Sequence, residues 1–105
     1  MTASDAAHRE EHRVSAQFVV VIESGLSSNS YGAKVSTTEP MEEAAAGDLF
    51  ERVIRGDAPE VYAPHKKGLT VRVSDRVVLD LSTSRATPSR QTRITLAEVL
   101  DERRG

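Results

Sequence analysis

The chain has 105 residues, a formal net charge of -2 and 38% hydrophobic residues. This length predicts a single domain, and the composition is too apolar for a wholly disordered chain. The absence of cysteine excludes disulfides, thiolate metal sites and cysteine nucleophiles. The longest apolar run, residues 18–22, is too short to span a membrane, and the N-terminus lacks a signal-peptide pattern, so we expect a soluble, cytoplasmic protein.

The first elements are predicted from a change of pattern after a charged start. Residues 1–13 have no apolar stripe, and we interpret them as a flexible tail before a single domain over residues 14–105. Residues 14–23 alternate at period two with apolar side chains on both faces, which predicts a strand inside a sheet. A polar loop over 24–30 leads to a second alternating strand, residues 31–37, which we expect to pair antiparallel with the first.

An amphipathic helix is predicted next. Thr38 or Glu39 can cap it, and Pro40 suits its first turn, where the missing N–H costs no hydrogen bond. Its apolar face is predicted to consist of Met41, Ala45, Ala46, Leu49, Phe50, Val53 and Ile54. Gly56 is expected to end the helix in the left-handed conformation. Gly47 is its weak point, because a mid-helix glycine costs about 1 kcal/mol relative to alanine.

A hairpin is predicted after a connecting loop over 57–68. Its apolar residues alternate with polar ones in two sets: Leu69, Val71 and Val73, then Val77, Leu79 and Leu81. A three-residue turn over 74–76 places Val73 opposite Val77 and keeps both sets on one face, whereas a two-residue turn separates them. We therefore expect the three-residue turn, with both sets on one face.

The rest of the chain predicts a loop and a second helix. Residues 82–93 contain three arginines, no acid and almost no apolar side chain, which is typical of a mobile basic loop. Thr95 and Glu98 have capping-box spacing, and an apolar face of Leu96, Val99 and Leu100 follows. The predicted fold class is α+β, a single small domain of order β-β-α-β-β-α, with a mainly antiparallel sheet and helices packed on one face.

Motifs for catalysis are sparse. His8 and His12 match the H-x-x-E-H spacing of inverted zinc peptidases, but such a site needs a third ligand on another element. His65 is the only histidine outside the tail, and no nucleophile or dinucleotide motif accompanies it. We therefore predict no catalytic residues, no metal and no other cofactor, and we expect a protein that is not an enzyme.

Charge is unevenly distributed along the chain. Residues 1–63 hold eleven acids against five bases, whereas residues 64–93 hold seven bases against two acids. This asymmetry predicts an acidic surface and a basic surface. The candidate interaction residues, which could contact phosphate or an acidic protein, are Lys66, Lys67, Arg85, Arg90 and Arg93.

A small core with four aromatic residues favours function by surface contact, or a dimer that completes the core. We predict a protein-interaction module, such as an adaptor, accessory subunit or regulator, that binds a protein partner or itself and no membrane. The alternative is a nucleic-acid- or phosphate-binding regulator that uses the basic segment 64–93. A second alternative is a small enzyme or enzyme subunit whose site has no known motif.

Overall fold

The computed structural model describes residues 16–25, 34–84 and 91–103. In chain order its elements are β1 (Phe18–Ser24), β2 (Lys34–Thr37), α1 (Glu43–Ile54), β3 (Gly68–Ser74), β4 (Val77–Ser82) and β5 (Gln91–Glu98). The strands form one antiparallel sheet in the order β2-β1-β5-β4-β3. Within these ranges, the structure contains no helix with the length and apolar character needed to cross a membrane.

The predicted fold class is wrong in its last element. Residues 91–98 form strand β5, so the order is β-β-α-β-β-β and the described chain has a single helix. β5 lies between β1 and β4 and pairs with both, and alternation buries Thr92 and Ile94. Hydrogen bonds along both edges, together with the burial of Ile94, outweigh the local capping signal at Thr95, because tertiary context routinely overrides helix propensity.

The predicted pairing of the first two strands is confirmed. β1 lies inside the sheet, between β2 and β5, as its two apolar faces predict. It is antiparallel to β2, with Val21 opposite Thr37 and Ser24 opposite Lys34. β1 begins at Phe18, later than the predicted start at residue 14.

The helix starts later than predicted because the residues before it continue along the sheet. Met41 and Phe18 exchange two backbone hydrogen bonds of 2.7 and 3.0 Å. Thr38 Oγ1 also accepts a hydrogen bond from the backbone N–H of Val20 at 3.0 Å. These bonds hold residues 38–41 beside β1, so neither the first turn predicted at Pro40 nor the predicted place of Met41 on the helical face is correct.

The core lies between α1 and one face of the sheet. Its buried cluster consists of Val20, Ile22, Phe50, Val53, Ala58, Val78 and Ile94. The helix contributes Phe50 and Val53, and the loop after it contributes Ala58. Gly56 ends the helix with a φ of 80°, the left-handed conformation predicted for it.

The β3–β4 hairpin has two of the predicted cross-strand pairs, Leu69 with Leu81 and Val71 with Leu79. The register then shifts, so that Ser74 pairs with Val77 and Val73 is the extra residue of a β-bulge. The turn therefore has two residues instead of the predicted three. The bulge absorbs the extra residue and leaves the apolar pairs opposite each other, which is how the shorter turn avoids the register conflict that the sequence pattern implies.

Candidate interaction surface

The face of the sheet away from α1 is the candidate site, and we call it the open face. Outside the β-bulge at residues 72–74, strand alternation and register place fourteen residues on it: Val19, Val21, Glu23, Val35, Thr37, Leu69, Val71, Val77, Leu79, Leu81, Gln91, Arg93, Thr95 and Ala97. None of them is buried, whereas Val20, Ile22, Val78 and Ile94, which alternate with them on the three central strands, belong to the core under the helix. The apolar pairs of the β3–β4 hairpin therefore lie on the open face and not in the core under the helix.

Both rims of the open face carry exposed apolar side chains. Val35 on the β2 rim is 67% exposed, and Leu69 and Val71 on the β3 rim are 58% and 40% exposed. The solvent side of an antiparallel sheet usually carries polar side chains. Contiguous apolar patches on small domains are uncommon and mark sites of interaction. The composition of this face is thus typical of a surface that another molecule covers.

An ion pair lies in the middle of the open face. The guanidinium of Arg93 on β5 donates hydrogen bonds from Nε and Nη2 to the two carboxylate oxygens of Glu23 on β1, both at 2.9 Å. This hydrogen bond lowers the pKa of Glu23 below its usual value, against the opposing effect of burial. The same hydrogen bond raises the pKa of Arg93. Both groups are therefore charged at neutral pH, and the fork geometry fixes their positions.

The ion pair has apolar neighbours on either side across the sheet. One line of paired residues crosses all five strands in the order Val35, Glu23, Arg93, Leu79 and Val71. A charged centre between apolar flanks gives the face a defined polarity in addition to a hydrophobic contact area. Such a surface selects the orientation of its partner, because a misplaced partner leaves the charges without complementary groups.

The structure separates the basic residues that the sequence singled out. Lys66 and Lys67 are exposed and line a shallow cleft of about 320 Å³ at the end of the sheet where β3 begins. Arg93 lies on the open face and is held by Glu23. Arg85 and Arg90 lie outside the described residues. The structure therefore does not bring Arg93 together with the two lysines.

Beside this cleft is a buried network that the sequence analysis missed. Asp80 on β4 is 2% exposed and accepts hydrogen bonds from the hydroxyl of Tyr62 at 2.5 Å and from the backbone N–H of His65 at 3.0 Å. Burial, and then the hydrogen bond to Asp80, raise the pKa of Tyr62 to about 12. His65 Nε2 is buried and has no hydrogen-bond partner among the described residues. The network holds the loop before β3 against the sheet and so positions Lys66 and Lys67.

A single charge within an apolar strand was the available signal for this network, since Asp80 interrupts the hydrophobic residues of β4. Its partners lie 18 and 15 residues earlier in the chain, so no local pattern identifies them. Among the described residues, no group of three or more acidic or histidine side chains is placed to hold a metal ion. His8 and His12 lie outside those ranges.

Comparison of the chain with protein-family models, with curated proteins and with solved structures found no match.

Proposed function

We propose that this protein is a protein-interaction module and that the open face is its binding surface. The observation that carries the proposal is an apolar sheet face whose rim residues Val35 and Leu69 are more than half exposed. Covering such a face removes apolar surface from water, at about 25 cal/mol per Å². The ion pair of Glu23 and Arg93 at its centre adds the orientation that specific recognition needs.

The phosphate-binding alternative has weaker support from the positions of its residues. Arg93 is engaged by Glu23, which offsets its charge and accepts hydrogen bonds from its Nε and Nη2. Lys66 and Lys67 remain exposed at the end of the sheet, but lysines on a surface also serve as ordinary solvated charges. The protein-contact proposal uses a larger and continuous feature of the molecule.

Site-specific photo-crosslinking in the source cells tests the proposal. A photoreactive amino acid replaces Val35 on the open face, and the matched control carries it at Asp48, an exposed position on α1. We expect a discrete protein adduct from position 35 and none from position 48. The absence of an adduct at position 35, or the same adducts from both positions, would contradict the proposal.

A further inference from the structure

We propose that the molecule covering the open face is a second copy of this chain, in a face-to-face dimer in which Glu23 of each copy meets Arg93 of the other. This inference rests on the proposed function, because it names the partner of the same surface. Its basis is the arrangement of charge on the face, which is complementary to itself about a two-fold axis.

The two-fold axis that places each of these charges opposite its complement in the second copy runs parallel to the strands, between β1 and β5. A half-turn about it lays β1 of one copy over β5 of the other, at the same level along the strands. Because Glu23 and Arg93 are direct partners in the β1–β5 register, each then faces its opposite charge in the second copy. The interface is isologous, as expected for a two-fold homodimer.

The same rotation places apolar residues beside the ion pair against apolar residues of the second copy. β2 of one copy lies over β4 of the other, and Val35 and Leu79 share one level of the sheet. Val35 therefore rests on Leu79 of the second copy. Packed sheets lie about 10 Å apart, a gap that a glutamate and an arginine can bridge together. Aligned sheets cross at about 30°, so contact is closest near the axis, where the four charges lie.

The composition of the rest of the chain favours a second copy, and not another segment of the same chain, as the partner of the open face. Residues 1–15, 26–33, 85–90 and 104–105 lie outside the described ranges. Together these segments contain only four large apolar side chains, Met1, Val14, Leu26 and Tyr31. The open face of a second copy supplies more, since β1, β2 and β4 together contribute six aliphatic residues to it.

The expected dimer is of modest strength. The rotation overlays four strands of each copy, β2, β1, β5 and β4, and leaves the edge strand β3 outside the contact. At a strand spacing of about 4.8 Å the contact is roughly 15 Å wide, which corresponds to the lower end of specific interfaces. Desolvation of the ion pairs also offsets part of their mutual attraction. We therefore expect reversible, concentration-dependent association, which sedimentation equilibrium of the purified full chain detects from micromolar to submillimolar concentration.

Charge reversal with mixing tests the pairing across the axis. Glu23→Arg makes every central charge positive, and Arg93→Glu makes every one negative, so each variant alone should dimerise roughly 100-fold more weakly or worse. An equimolar mixture of the two variants should recover dimerisation to within about tenfold of the unaltered protein, as a heterodimer in which both contacts across the axis are complementary. Only an interaction between copies predicts this recovery, because neither chain regains its internal ion pair.

The matched control uses a pair on the other side of the sheet. Arg72 Nη2 contacts both carboxylate oxygens of Glu51 on α1, at 3.1 and 3.2 Å. Glu51→Arg and Arg72→Glu should leave dimerisation unchanged. Far-ultraviolet circular dichroism and thermal unfolding establish that all four variants fold. Val35→Lys, on the exposed β2 rim that lies over β4 of the second copy, provides a second way to weaken the dimer.

The outcomes separate this inference from the proposed function. Dimers of the unaltered chain that are lost in each central variant and recovered on mixing support the second copy. A monomer at every concentration overturns the inference, and so do dimers that the central variants do not weaken or that mixing does not restore. The proposed function survives either result if the crosslinker at position 35 captures a different protein. It fails with the inference if that position captures nothing.

Discussion

Gly47 and Gly68 differ in the space that their surroundings leave for a side chain. A Cβ at Gly47, inside α1, would meet no heavy atom within 4 Å, whereas a Cβ at Gly68, at the start of β3, would lie 2.5 Å from the carbonyl oxygen of Leu81. Gly47→Ala should therefore raise the free energy of unfolding by about 0.5–1 kcal/mol through helix propensity. Gly68→Ala should lower it by about 1–3 kcal/mol because the β3–β4 ladder must shift.

Urea unfolding at one fixed protein concentration measures both changes, and fixing the concentration removes any contribution from association. The two variants add the same methyl group, so each is the other's control. Equal effects in the same direction would contradict the different surroundings of Gly47 and Gly68.

The hydrogen bond between Tyr62 and Asp80 predicts a dependence of stability on alkaline pH. The folded protein holds the phenol proton until a pKa of about 12, above the ordinary value of 10.0. The unfolded chain therefore loses this proton first, and stability should fall as pH rises from about 10 to about 12. Below pH 10 this contribution is constant.

Tyr62→Phe should remove the loss of stability at alkaline pH that comes from this phenol. It should also lower the free energy of unfolding at neutral pH by about 1–3 kcal/mol, because it deletes a hydrogen-bond donor to the buried carboxyl group of Asp80. Unfolding free energies of the two proteins across pH 9 to 12 give the comparison. Parallel curves for the two proteins would show that Tyr62 titrates as an ordinary exposed tyrosine.

Among the helical residues, Phe50 is the largest side chain that α1 buries against the sheet. This side chain is 2% exposed and belongs to the central cluster, whereas Leu49 is only partly buried at its edge. Phe50→Ala should cost about 3–5 kcal/mol, and Leu49→Ala should cost less. Thermal unfolding ranks the two variants, with Ala45→Ser on the exposed side of α1 as a control. A larger loss for Leu49→Ala would place the helix in a different rotation about its axis.

The strand β5 joins the two halves of the sheet. It is hydrogen-bonded to β1 on one side and to β4 on the other, and Ile94 on it is 1% exposed. The predicted terminal helix would have left β1 and the β3–β4 hairpin unconnected. Residues 91–98 form a strand because they pair with two strands that are distant in the sequence. The capping pattern at residues 95–98 spans four residues and contains no information about either pairing.

For the whole molecule, we predict that residues 1–12 contribute little to folding. They contain one large apolar side chain, Met1, and no apolar stripe. Deleting them should change the melting temperature by less than several degrees, since about 1 kcal/mol shifts a domain of this size by roughly 4–8 °C. Differential scanning calorimetry of the full and shortened chains, at equal concentration, measures the difference. A larger decrease would mean that this segment packs against the domain.

Several features of the fold were predictable because they depend on neighbours in sequence. The two apolar faces of β1 indicated an interior strand, and Gly56 indicated the end of the helix. The pairing of Val71 with Leu79 followed from alternation on either side of a short turn. The lysines Lys66 and Lys67 were predictable as surface charges, but their separation from Arg93 was not, because it depends on where β5 enters the sheet.

The amino-acid sequence by itself determined which segments alternate and which residues share a side of each strand. It did not determine which side the helix covers, and that choice defines the open face. In β4 the more apolar set, Val77, Leu79 and Leu81, lies away from the helix, while Val78 and Asp80 lie beneath the helical layer. Tertiary structure makes this arrangement acceptable, because the distant Tyr62 hydroxyl and the backbone N–H of His65 satisfy the buried carboxyl group of Asp80.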